Sequence, residues 1–142
     1  TGPPPEATSA KRARNLALVR TGDAAKTANL LKNVRRYPVN DEFIYTVVPL
    51  LTYTRNRKVI DYLWQQALTE NTACTPADAE TSGRIDCAYR IVEFLAPIIP
   101  DFPVKHDDSG ILLVADYSAA LAEIRRWYAA HTTDYLIDRT TF

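Results

Sequence analysis

At 142 residues, 46% of them hydrophobic, the chain has the size of one ordinary domain, able to bury roughly two-thirds of its unfolded surface. Its 17 basic side chains balance 17 acidic ones, so no global field draws it to nucleic acid or to a lipid surface, and any such attraction has to be local. Apolar runs such as residues 111–115 fall far short of the roughly 20 residues a membrane-spanning helix needs, so no membrane span is expected.

The first eight residues, opening Thr-Gly-Pro-Pro-Pro-Glu, read as an extended or disordered leader, because proline fixes φ and lacks an amide donor. Residues 9–142 form the single domain. The stretch 9–20 is rich in Ala, Arg, Lys and Leu and is stopped by Gly22, which predicts a first helix. Asp23 is an N-cap for a second, to about Arg36, with Ala24, Ala28, Leu31 and Val34 on one face. Asn40, followed by Asp41 and Glu42, opens a third, whose apolar stripe is Phe43, Ile44, Val47, Val48 and Leu51. After the short link 54–56, Ile60, Leu63, Trp64, Ala67 and Leu68 show the cleanest helical period in the chain and define a fourth.

Residues 71–83 are polar and read as an inserted loop, in which 75–78 are able to start one helical turn. Cys74 in this loop and Cys87 beyond it are the only thiols. They either close a disulfide that pins the loop, which would suit an oxidising compartment, or remain two unlinked thiols with one buried. No second cysteine pair exists and His106 and His131 lie too far along for a familiar zinc spacing, so no metal is expected. Ala88, Ile91, Val92, Leu95 and Ile99 mark a fifth helix that Pro100 and Pro103 end. A turn at 106–110 between two extended pieces suggests a small β-hairpin within 100–115. Asp116 caps a sixth helix to about His131, with Tyr117, Ala120, Leu121, Ile124 and Tyr128 on its face.

Two of these helices carry an interior proline flanked by paired apolar residues: Val47-Val48-Pro49-Leu50-Leu51 and Leu95-Ala96-Pro97-Ile98-Ile99. Each predicts a kink, since an interior proline removes a hydrogen bond and clashes with the preceding turn. With a kinked helix followed by a straight one, the chain resembles the HEAT and armadillo families over about residues 10–132. The resemblance implies an all-α fold of three antiparallel helix pairs stacked as a short α-solenoid. The prolines lie 48 positions apart, above the roughly 40 to 47 of such repeats, an excess the 71–83 loop would supply. The link Thr54-Arg55-Asn56-Arg57 has no turn Asp, position 63 is Leu rather than basic, and the first pair has no proline. A non-repeating helical bundle is the alternative.

Catalytic constellations are scarce: there is no nucleophile elbow, phosphate-cradling glycine loop or zinc-protease helix, and only 4 glycines are present for tight loops. The chain is therefore read as a non-enzyme without a cofactor. His106 with Asp107 and Asp108 is the one mixed imidazole–carboxylate cluster; it reads as a solvated turn, or else as a hydrolase-like site. Charge is unevenly spread, with eight basic and two acidic side chains in residues 1–36 against nine and fifteen afterwards. Lys11, Arg12, Arg14, Arg20, Lys32, Arg35 and Arg36 thus mark a basic end. It reads as solvated helix faces, as a docking point for an acidic neighbour, or as contacts of an accessory domain with nucleic acid, a partner class held unlikely. Trp64 falls on the core stripe, whereas Trp127 and Tyr128, beside Arg125 and Arg126, have the composition of interface anchors.

The leading expectation is an interaction or scaffold module that uses a helical-repeat surface to hold a protein or peptide partner. With no methionine anywhere, the chain reads as trimmed or as the mature product of a cleaved precursor. Together with the cysteine pair, this favours a secreted or periplasmic location, with the cytoplasm as the alternative.

Overall fold

The computed structural model describes residues 5–76 and 83–141 of the chain. The fold is all-α, and among the described residues the only β features are two isolated antiparallel bridges, Cys74 with Ile85 and His106 with Leu112. The hairpin expected within 100–115 is thus reduced to one bridge. The amide of Leu113 donates to the carbonyl of Lys105 and that of Asp107 to Ile111, and pairing stops there because Pro100 and Pro103 offer no donors on one arm.

Helix α1 (Pro5–Arg20) begins four residues before the expected start at 9, since a proline in the first turn lacks only an amide that has no intrahelical partner anyway. Of the leader expected over 1–8, residues 1–4 lie outside the described residues. Among the described side chains of α1, Leu16 and Val19 are buried, and Gly22, at φ 95°, takes the left-handed conformation that ends it. Helix α2 (Ala24–Val34) is capped as expected by Asp23, whose carboxylate accepts from the amide of Lys26 at 2.9 Å. Its buried side chains are Thr27, Leu31 and Val34, whereas Ala24 and Ala28 are exposed. Thr27 is tolerated inside because its hydroxyl donates to the Asp23 carbonyl and accepts from Asn56.

The expected third helix is two: α3 (Asp41–Thr46), capped by Asn40, and α4 (Val48–Tyr53), with Pro49 in its first turn. The expected fifth likewise ends as α6 (Ala88–Leu95) and continues as a single 3-10 turn over Ala96–Ile98 that contains Pro97. At both places the proline breaks the helix and sits in the opening turn of the next piece, where its missing amide leaves no hydrogen bond unmade.

Between α4 and α5 (Arg57–Leu68) the chain reverses through Arg55, at φ 47° the one non-glycine in the left-handed region among the described residues. Asn56 caps α5, and its amide group donates to Val19 and Thr27, tying the turn to the first two helices. Val59, Ile60, Leu63 and Trp64 are fully buried. Helix α5 packs against α2, α4, α6 and α7 (Tyr117–His131); α4 also touches α1 and α6, and α1 lies on α2. Asp116 caps α7 by accepting from the amide of Ala119.

Cys74 and Cys87, both buried, form a pair at disulfide distance with their Cα atoms 5.1 Å apart. Of the loop expected over 71–83, residues 77–82 lie outside the described residues; its near arm is tied to α3 because Asp41 accepts from both the amide and the hydroxyl of Thr75. The Thr75 amide bond is the main reason the Asp41 carboxyl is held below its ordinary range. Past α7 the chain runs along the helix ends as an extended tail. Three arginines hold it by its backbone: Arg20 donates to the carbonyls of Arg139 and Thr141, Arg55 to Asp138, and Arg57 to Thr132 and Tyr135.

Candidate functional site

The first two helices and the α3–α4 pair enclose a groove of about 750 Å³. Its floor contains Leu16, Val34 and Phe43, which are buried, with Leu30, Val47 and Leu50 half-buried above them. Leu30 belongs to α2, Leu50 to α4 and Val47 to the link between α3 and α4; Leu30 and Leu50 turn apolar surface towards the opening because neither lies on the buried stripe of its own helix. The rim is polar. Lys11, Arg12 and Lys26 bring positive charge, Asn15, Asn29 and Asn33 bring amides, and Glu42 is the one acid among the lining residues.

A second hollow of about 720 Å³ lies between α2 and α5, lined by Arg35, Tyr37, Lys58, Asp61 and Gln65 among others. It is the more polar of the two. One wall is structural: Asp61 accepts from the buried hydroxyl of Tyr135, and Arg57 covers the Tyr135 ring at 4.0 Å. Burial, followed by the neighbouring Asp61 carboxylate, raises the Tyr135 phenol far above its ordinary value, so it remains a neutral donor.

The four residues singled out on the last helix have separate environments. Tyr128 is in the core, its ring stacked on Trp64 at 4.5 Å. Arg125 is engaged by the carbonyl of Ala67 and by an ion pair with Asp86 at 3.1 Å. Trp127 is half-buried against the core and Arg126 is exposed. At the turn, Asp107 accepts from the amide and hydroxyl of Ser109 and from the amide of Ile111, so its carboxylate is taken up by local groups; the Ser109 hydroxyl is the largest cause of its lowered pKa. His106 meets Phe102 edge-on at 5.7 Å. Among the described residues no three His, Cys, Asp or Glu side chains converge as a metal site, and no helix is long and apolar enough to cross a membrane.

No family model, curated protein or solved structure matches this chain.

The groove drew no notice in the sequence because apolar periodicity ranks residues by the stripe they join, and Leu30 and Leu50 each stand beside a stripe. The readable signal was Leu30 set between Asn29 and Asn33, an apolar side chain on an otherwise polar face.

The turn also touches α6. A Cβ at Gly110, which is at φ 93°, would lie 1.8 Å from the carbonyl oxygen of Glu93, so only glycine fits. The Glu93 side chain pairs with the buried Arg90 at 3.2 Å, yet burial outweighs that partner and raises its carboxyl above the ordinary 4.5. The folded chain therefore holds this proton to higher pH than the unfolded chain, and the stability linked to Glu93 declines as pH rises from its ordinary value through its folded value. Glu93→Gln is expected to be more stable than the parent at pH 7 and to lose that advantage below the ordinary carboxylate range. Chemical denaturation across that pH interval checks this; a constant difference would contradict it.

Proposed function

We propose that the chain is a non-enzymatic interaction module that holds a protein or peptide partner in the groove between α1, α2 and the α3–α4 pair. One observation carries this reading: half-buried Leu30 of α2, Leu50 of α4 and Val47 of the link before α4 share one hollow under a polar rim. Apolar side chains collected in this way gain by being covered, and at about 25 cal/mol per Å² the covered area supplies the drive for association while the rim sets orientation.

The helical arrangement supports a short α-solenoid of the HEAT or armadillo kind. Helices α1, α4 and α6 touch in succession, as do α2, α5 and α7, an order compatible with two layers of stacked pairs, the first two pairs being α1 with α2 and α4 with α5. The cysteine pair at disulfide distance supports an oxidising, secreted or periplasmic setting.

Leu30→Glu/Leu50→Glu tests the surface, because both side chains are only half-buried and neither is one of the buried core residues. In affinity capture from the native source, a partner recovered stoichiometrically with the parent chain is expected to be lost with this variant and kept with Arg126→Ala/Trp127→Ala. The reverse pattern would move the surface to α7.

A further inference from the structure

The groove's charge narrows the partner, on the footing that the groove is the interaction surface. Lys11 and Arg12 on α1 and Lys26 on α2 stand on its rim against a single acid, Glu42, and they belong to the part of the chain where eight basic side chains face two acidic ones. The chain as a whole is neutral, so this excess is a property of one end. Beneath the rim the half-buried side chains Leu30, Val47 and Leu50 are aliphatic, and Tyr37 is the one exposed aromatic ring among the lining residues. A polynucleotide would find phosphate partners there, but most of its bases would meet Leu30, Val47 and Leu50, whereas single strands stack successive bases on a series of aromatic or guanidinium planes. Of the other basic residues in this part of the chain, Arg35 sits over the Tyr62 ring and Arg20 is bound to the tail, and neither lines the groove, which leaves the rim positive but not densely so.

We propose that the groove takes an acidic amphipathic helix, its apolar residues on Leu30, Val47 and Leu50 and its carboxylates opposite Lys11, Arg12 and Lys26. An amphipathic helix places apolar side chains at i, i+3 or i+4, and i+7 on one face, matching an aliphatic floor, while the flanking faces meet the rim. Asn15, Asn29 and Asn33 supply both donors and acceptors to its polar side chains. Electrostatic matching of this type acts chiefly on association rate and on rejection of wrong partners, and it weakens as salt shortens the screening length to about 10 Å at 0.1 M.

The test is selection of ligands from a displayed library of helical peptides with balanced charge, using the full immobilised chain, followed by titration of the enriched peptides. The expected set is net acidic with apolar residues at helical spacing, and affinity falls as salt is raised. Binding is expected to drop on the order of tenfold or more for Leu30→Glu/Leu50→Glu and also for Lys11→Glu/Lys26→Glu, whose exposed or half-buried positions leave folding intact. Neutral or basic peptides that still depend on Leu30 and Leu50 would overturn the acidic partner while leaving the groove as the interaction surface. Peptides indifferent to the leucine variant would overturn both. Displacement of the peptides by a mixed-sequence oligonucleotide at lower concentration would assign the rim to nucleic acid, and self-association of the chain abolished by Leu30→Glu would assign the groove to a second copy; either result overturns the proposal.

Discussion

Replacing Trp64 by alanine is expected to lower stability by about 3–5 kcal/mol, the range for truncating a fully buried tryptophan. Trp64 is completely buried on α5, where it joins otherwise separate parts of the chain. Its ring stacks on Tyr128 of α7 at 4.5 Å, with Phe102 and Tyr135 each 6.4 Å away and Trp127 at 6.2 Å. An alanine would leave a cavity facing all four rings and loosen α7 and the tail together. One feature offsets the loss: the Trp64 Nε1–H is buried without a hydrogen-bond partner among the described residues. An unsatisfied donor of this sort costs about 1–3 kcal/mol. Trp64→Phe, which deletes that donor and keeps most of the stacking, is therefore expected to cost much less than Trp64→Ala. Urea unfolding of both variants gives the comparison, and equal losses would show that ring volume alone matters.

Removing the cysteine bridge is expected to cost about 3 kcal/mol, because the 13-residue separation closes a loop whose unfolded ensemble the link restricts. The bridge lies where the polar 71–83 region rejoins the core. There the amide of Ile85 donates to Cys74, that of Cys87 donates to Asn71, and Asp86 pairs with Arg125. Loss of the link should loosen this region and its Asp41–Thr75 tie to α3 first, and spare α1 and α2, which make no hydrogen bond to it among the described residues. A reductant is expected to lower the melting temperature of the parent chain and to leave Cys74→Ala/Cys87→Ala unchanged at the lower value. Two thiols that react freely in unreduced, denatured protein would contradict the bridge.

Much of the helical order was legible because it depends on local rules. Asp23, Asn40 and Asp116 each cap the helix that follows. The α5 stripe of Ile60, Leu63, Trp64 and Ala67 is buried as its period required, though Leu68 at its end is 38% exposed and stays outside the core. Where local rules competed, the sequence was less clear. Ala24 and Ala28 are compatible with either face of a helix, and the hydrogen bond that Thr27 accepts on the buried face of α2 comes from Asn56, far along the chain. Pro49 and Pro97 were recognised as interruptions, but whether a proline bends or divides a helix depends on how the next turn packs.

The same limit applies to function. Tyr128 already lay on the apolar stripe of its helix, and the core claimed it; its neighbours Trp127 and Arg126 had no partner of the stripe to decide their place. The groove depends on α1, α2, α3 and α4 meeting, so no short window of sequence contains it. Its basic rim was visible as charge at one end of the chain, but Arg20, counted with that charge, is turned to the tail.

Hydrogen exchange of the full chain with and without its partner, or with the peptides selected against it, tests the central claim most directly. Slowed exchange is predicted across residues 11–19, 26–34 and 43–51, the segments that line the groove. Protection confined to α7 and the 105–113 turn, with those three segments unchanged, would contradict it.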